Sequence, residues 1–180
     1  MKLETDRLLL RPVMATDAPQ IFAYRSDTHA NKYQGWIPKT LEQVVHFIAN
    51  TAEAPNEPES WFQLALIDKH SEVLVGDLGL HFFDAEHKQV EVGCTLSKQY
   101  HKKGYAREAM AAVLTHLFVV WEKHRVITSI DPANTASIRL AESLGFRKEA
   151  HFVQSLYING GWVDDVIYAI LASEWKERIM

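Results

Sequence analysis

The chain has 180 residues, of which 47% are apolar and 23% charged, and a formal net charge of −4. This length suits one domain, 1–180, with a proper core, and the composition is ordinary for a globular protein. The slightly acidic balance argues against a general nucleic-acid binder or a partner for anionic membranes, which want a basic surface.

The opening MKLETDRLLLRP is interrupted by charges and has no long apolar run, so it does not read as a signal peptide. Leu3 to Arg11 alternates and then runs apolar, which predicts a first strand stopped by Pro12. Thr16-Asp17-Ala18-Pro19 predicts a helix start, and Ile21, Phe22 and Tyr24-Arg25 carry that helix to about Asp27. The aromatic segment Tyr33 to Pro38 follows. Thr40 and Gln43 have the spacing of a capping box, with Val44, Val45, Phe47 and Ile48 as the buried face of a second helix. Glu53 to Glu59 is loop-like. Three strands are predicted next: Trp61 to Ile67, Val73 to Phe83, and one from Val90, with turns at Asp68–Glu72 and Asp84–Lys88. Short turns make these antiparallel neighbours.

In the third of these strands Val90, Val92, Cys94 and Leu96 share one face, and Glu91, Gly93, Thr95 and Ser97 the other. Cys94 is the single cysteine, so no internal disulfide can form, and a reducing, cytoplasmic home is the simplest reading. A basic turn, Gln99 to Gly104, leads into a helix from Tyr105 to about Lys123. Its most apolar part, Met110 to Trp121, contains Thr115 and His116 and is too short to span a bilayer. Val126 to Ile130 predicts a strand, Thr135 to Leu144 a helix closed by Gly145, and Phe146 to Leu171 a hairpin turning at Asn159-Gly160-Gly161. Ser173 to Arg178 adds a last helical turn. An antiparallel block, then strand–helix–strand–helix–strand, then a hairpin predicts an α/β or α+β fold with a mixed sheet. The strands around the Tyr105 helix should run parallel.

A strand that feeds a basic, glycine-containing turn opening a helix suits phosphate. The first amides of a helix have no partner within it, and the dipole makes that end positive. Neither G-x-x-x-x-G-K-[ST] nor G-x-G-x-x-G occurs in the chain. The turn instead reads H-K-K-G-Y-A, His101 to Ala106. It resembles the acyl-CoA pyrophosphate loop of the GNAT superfamily of N-acetyltransferases, [QR]-x-x-G-x-[GA], with His101 standing where Gln or Arg is usual. A solvated, lysine-rich turn would share this hexamer.

Other segments are similar to the RimJ/RimL-like branch of that superfamily. They are Leu3-Glu4-Thr5-Asp6-Arg7-Leu8 with Leu10-Arg11-Pro12, Asn134 to Ser137 with Glu142 to Phe146, and Gly161 to Tyr168. With Glu91-Val92-Gly93 and Gly104-Tyr105-Ala106 they span essentially the whole chain in order. The resemblance implies a mixed six- or seven-stranded sheet, splayed between its fourth and fifth strands to receive acetyl-CoA, and direct acetyl transfer to an amine. Acetyl transfer from a thioester needs no covalent enzyme intermediate, so the absence of a Ser-His-Asp pattern is no objection.

On this resemblance the pyrophosphate falls to the backbone amides of Lys102, Lys103, Gly104, Tyr105 and Ala106, with His101 at the head of the turn. Gly104 allows close approach. The backbone of Cys94, Thr95 and Leu96 would pair with the pantetheine amides, and one amide there could face the oxyanion. Cys94 itself reads as a small core residue. Asn134 bonds the pantetheine arm in the family, or caps a helix, or both. Ser137 is the acid for the leaving thiolate or an ordinary first-turn serine. Glu91 is the general base, acting directly or through a water, or a cross-strand carboxylate. Asp164 reads as structural. Tyr33 and Trp36 shape the acceptor site or cap the core. Lys102 and Lys103 add charge at the phosphates or are simply solvated.

The nine histidines show no metal-site spacing, and no metal is expected. The acceptor expected is a primary amine, either a protein N-terminal α-amine, including that of a ribosomal protein, or a small-molecule amine. An α-amine near ~8 needs less help from a base than a lysine near ~10.4. The rival reading is a non-catalytic acyl-CoA-binding or sensing module on the same fold. No nucleic-acid or membrane partner is expected, and a homodimer is common among the family's members.

Overall fold

The computed structural model describes residues 1–83, 86–158 and 160–179. Eight strands form one sheet in the order β1-β2-β3-β4-β5-β6-β8-β7. They are β1 (Leu3–Glu4), β2 (Leu8–Pro12), β3 (Ser60–Asp68), β4 (Leu74–Phe82), β5 (Gln89–Leu96), β6 (Arg125–Ile130), β7 (Arg147–Ile158) and β8 (Gly161–Leu171). The helices are α1 (Ala18–Arg25), α2 (Leu41–Ala49), α3 (Tyr105–Thr115), α4 (Thr135–Ser143) and α5 (Ala172–Ile179). The count exceeds the expected six or seven strands because the predicted first strand splits. The Thr5 hydroxyl accepts the Leu8 amide at 2.9 Å, and the turn it stabilises separates a two-residue β1 from β2.

Strand alternation sends the two faces to different partners. Phe62, Leu64, Leu66, Leu78, Leu80, Val90 and Val92 are buried with Ala109, Met110, Val113, Leu114, Leu117 and Phe118 of the α3 segment. Each fully buried leucine is worth about 1.5–3 kcal/mol, so this layer dominates the fold. The opposite face holds a smaller cluster, Ala18, Ile21, Tyr24, Val44, Ala65 and Leu74, under α1 and α2. Val45, expected in the buried face of α2, is 46% exposed. Only Val44 is fully buried there, with Ile48 partly buried against it, because α2 packs chiefly against α1 and touches the sheet little. The Thr40 hydroxyl accepts the Gln43 amide, but the Gln43 side chain turns to the Lys39 amide, so the reciprocal half of the box is displaced by one residue.

The helix from Tyr105 is α-helical only to Thr115 and continues as a π turn over His116–Val120. Gly145, at φ +94°, takes the left-handed position that ends α4, and the Phe146 amide reaches back to the Ala141 carbonyl. Asp84 and Asn159, which belong to two of the predicted turns, lie outside the described residues. Among the described residues, no helix is long and apolar enough to cross a membrane.

Candidate active site

The central feature is where β5 and β6 part. They run parallel but pair only at Gln89↔Arg125, Val90↔Val126 and Glu91↔Ile127. Beyond Glu91, β5 stays paired with β4 as far as Leu96, while β6 runs on to Ile130 beside β8. The sheet therefore opens on one side of Val92–Leu96. The Lys88 carbonyl accepts amides from the start of β6, and the Ser97 amide donates across to the Val75 carbonyl of β4. Alternation then turns the backbone groups of Val92, Cys94 and Leu96 to the open edge, and those of Gly93 and Thr95 to β4. Of the expected trio Cys94, Thr95 and Leu96, Thr95 is thus spent on the sheet, where it sits opposite Asp77. Burial pushes the Cys94 thiol up to about 12, so it stays protonated and is a poor nucleophile.

The strand then enters the basic turn. Gly104 sits at φ +83°, where a side chain would be strained and where a Cβ would meet Arg7 Nη2 at 3.2 Å. Among the described residues, the amides of Lys102 to Arg107 donate to no protein acceptor, and the Glu108 amide is the first to close a helical bond, onto Gly104. Four contacts fix this turn, three of them from distant parts of the chain. Arg7 Nη1 donates to the Lys103 carbonyl at 2.9 Å, and its guanidinium lies 4.4 Å from the Tyr105 ring centre. The Tyr105 hydroxyl donates to Asp68 Oδ2 at 2.6 Å. His101 Nε2 donates to the Leu96 carbonyl at 2.9 Å. The Tyr105 hydroxyl, with the Ser71 amide and hydroxyl, holds the Asp68 carboxyl down to about 2.

On the face carrying Glu91 lies a cavity of about 1020 Å³. Trp61, His81 and Glu91 stand directly opposite one another across β3, β4 and β5. The Trp61 and His81 rings stack at 4.6 Å and 2°, and His81 Nδ1 lies 3.4 Å from Glu91 Oε2. Trp36 stacks on Phe47 at 4.6 Å, and both line the same cavity, as does Tyr33. Beneath them Asp77, with no exposed surface, accepts from Tyr24, Arg25 and Gln63. Burial and the Asp77 charge hold the Tyr24 hydroxyl well above its ordinary range. Burial alone would favour neutral Arg25, and the adjacent Asp77 reverses that and keeps the guanidinium charged.

Among the described residues, five carboxylates line this cavity, those of Glu42, Glu91, Asp131, Asp164 and Asp165, while the one arginine among them, Arg25, is already paired with Asp77. The Gln154 amide and then His151 hold the Asp164 carboxyl below the usual range. Asp165 accepts from the Ser129 hydroxyl at 2.7 Å. The lining therefore favours a cationic guest with apolar carbon beside its charge. Among the described residues, no group of three or more His, Cys, Asp and Glu side chains could hold a metal ion.

The profile of the acetyltransferase (GNAT) domain family matches residues 7–147. The chain belongs to the GNAT acetyltransferase family. The uncharacterized N-acetyltransferase YnaD of Bacillus subtilis is 30% identical over 98% of this chain and 100% of its own. A GNAT-family acetyltransferase structure from Bacillus anthracis superposes with a TM-score of 0.87 at 30% identity, covering 97% of this chain and 100% of that one. The ribosomal protein uS5-alanine N-acetyltransferase of Escherichia coli is a more distant relative, 25% identical over 97% of this chain and 93% of its own. The protein is therefore an acetyltransferase enzyme, with the mixed, splayed sheet of the GNAT fold.

Within the GNAT framework the expected site residues fall into four places, the first being the open edge of β5 with Cys94 and Leu96. Glu91, Thr95, Tyr33 and Trp36 line the cavity. His101 to Ala106 form the turn. Asn134 and Ser137 do not line the cavity and sit at the start of α4, where Asn134 Oδ1 accepts the Ser137 amide at 3.2 Å, so Asn134 is a helix cap. Asp164, read as structural, does hold the β7–β8 hairpin through Gln154 and His151 and also faces the cavity. Sequence reasoning missed Arg7, Asp68, His81, Trp61 and the Arg25–Asp77 pair. Arg7 lay inside a quoted motif but had no role. Trp61 and His81 become visible only through cross-strand register, and Asp68 and the Arg25–Asp77 pair only through helix-on-sheet packing, neither of which a single sequence displays.

Proposed function

We propose that this protein transfers an acetyl group directly from acetyl-CoA to a primary amine, which is drawn from the carboxylate-lined cavity beside the open edge of β5. The observation that carries this reading is the adjacency of three features: unpartnered amides at the α3 turn, an unpaired strand edge, and a cavity with five carboxylates against one neutralised arginine. Bound acetyl-CoA would supply the activated thioester. Its pyrophosphate fits the amides of Lys102 to Ala106, with the charges of Lys102 and Lys103 nearby. Its pantetheine amides fit the edge groups of Cys94 and Leu96, with Asn134 beyond them.

Glu91 is the proposed base, taking the acceptor's proton directly or through a water, with His81 beside it at 3.4 Å. The proposed acid toward the departing thiolate is Ser137, at the α4 start. Tyr33 and Trp36 would cover the acceptor. The acceptor is a protein N-terminal α-amine, as the uS5-alanine relative suggests, or a small-molecule amine. In this reading the enzyme is cytoplasmic and forms a homodimer, supported by the exposed Phe152, Val153, Tyr157 and Trp162 of the β7–β8 hairpin. Sedimentation velocity tests the dimer.

Titration of acetyl-CoA by calorimetry, followed by thiol release against a panel of amines and N-terminal peptides, tests the function. Binding with amine-dependent release supports transfer. Binding without release from any amine would favour the acyl-CoA sensing module, and no binding would sink both.

A further inference from the structure

We infer that Arg7, in the turn between β1 and β2, is the positioning residue that aims the phosphate-binding amides of the α3 turn. The inference rests on the acetyl-CoA reading above. Its geometry begins with one peptide. Arg7 Nη1 holds the Lys103 carbonyl at 2.9 Å. In a planar trans peptide the carbonyl and the following N–H point in opposite directions. Fixing the Lys103 carbonyl on Arg7 therefore turns the Gly104 N–H away from Arg7, to the outer side of the turn. The Gly104 carbonyl is in turn engaged by the Glu108 amide, which aims the Tyr105 N–H the same way, out of the helix start.

Arg7 is itself held rigidly. Its Nε donates to Glu108 Oε2 at 2.6 Å, and Nη2 lies 2.6 Å from the same oxygen. Its backbone amide donates to Glu108 Oε1 at 2.9 Å, its carbonyl accepts the Lys69 amide at 2.8 Å, and its guanidinium stacks on Tyr105 at 4.4 Å. The fork has a second consequence. Glu108 lies in the first turn of α3, where a carboxylate suits the helix dipole but would repel a bound anion. Arg7 cancels that charge without occupying the amides. A lysine could not make the fork, the stack and the carbonyl bond together.

The test is acetyl-CoA affinity by calorimetry, with kcat/KM for acetyl-CoA and for S-acetylpantetheine, which has no pyrophosphate. In Arg7→Ala the dissociation constant for acetyl-CoA should rise about tenfold or more, the scale of a lost charge-assisted bond. The value of kcat/KM for S-acetylpantetheine should stay within about twofold, because the thioester end does not touch the turn. Arg7→Lys should resemble Arg7→Ala. If Arg7→Ala does not fold, Glu108→Gln, which weakens the fork and keeps the arginine, should show the same selective loss at smaller size. An equal loss for both donors, or none for either, overturns the inference and leaves acetyl-CoA binding by wild type intact. Absence of acetyl-CoA binding by wild type overturns the acetyl-CoA reading and this inference with it.

Discussion

The α3 turn and the acceptor cavity are two halves of one candidate site built on opposite plans. The turn is contiguous in sequence, residues 97–108, and its working groups are backbone amides. Its side chains hold it in place, as where His101, standing in place of Gln or Arg, donates to the Leu96 carbonyl. The cavity is drawn from α1, α2, β3, β4, β5, β6, β7, β8 and the chain around them, and the groups proposed to work there are side chains. It depends on a buried network centred on Asp77 that joins α1 to β3 and β4. A backbone site tolerates sequence drift and stays local. A side-chain site concentrates its dependence in a few long-range contacts.

If the two halves are separable, substitutions should split cleanly between them. The largest effect is expected from Asp77→Ala. It leaves Arg25 buried and unpaired and should cost about 3–5 kcal/mol in urea unfolding. Where the variant still folds, acetyl-CoA affinity by calorimetry should hold within about twofold, because the turn lies outside the network. Loss of affinity in folded protein would show that the halves are coupled. Glu91→Gln comes next. It should lower kcat by about 10²–10³-fold, as for loss of a general base, and leave the calorimetric affinity for acetyl-CoA unchanged. A fall of less than about threefold would remove Glu91 from the chemistry.

Gly104→Glu should do the reverse. It puts a charge and a strained φ at the helix start, and it should weaken acetyl-CoA roughly tenfold to a hundredfold while leaving kcat for S-acetylpantetheine within about threefold.

The smallest effect concerns Asp68, which ties the end of β3 to Tyr105. Its carboxyl is held down to about 2, below its unfolded value, by the Tyr105 hydroxyl and Ser71. The stability it adds is therefore present above about pH 4 and is lost as pH falls through about 2. In Asp68→Asn that part of the acid slope should vanish, and Tm at neutral pH should drop by about 2–4 °C. An unchanged slope between pH 4 and 2 would mean that the Tyr105 contact adds nothing.

The same contrast explains what could be read from the sequence. The helix start at Tyr105 and the alternation of Val90, Val92, Cys94 and Leu96 against Glu91, Gly93 and Thr95 depend on neighbours within a few residues, and the structure bears them out. The Thr40–Gln43 cap was half right, because a side chain with two nearby amides can choose either. Val45 was misread because helical spacing says which residues share a face, not how wide the covered stripe is.

By itself, the sequence determined the order of strands and helices, the parallel strand–helix–strand unit and the turn at the start of α3. These follow from local backbone preference and hydrophobic period, which each segment carries within itself. Tertiary structure alone decided where β5 and β6 part, and that Thr95 turns its backbone to β4. It also decided that Trp61, His81 and Glu91 stand in one row and that Arg7 reaches Glu108 across 101 residues. Those facts depend on register and crossover, which come from packing the whole chain at once, and no segment contains them.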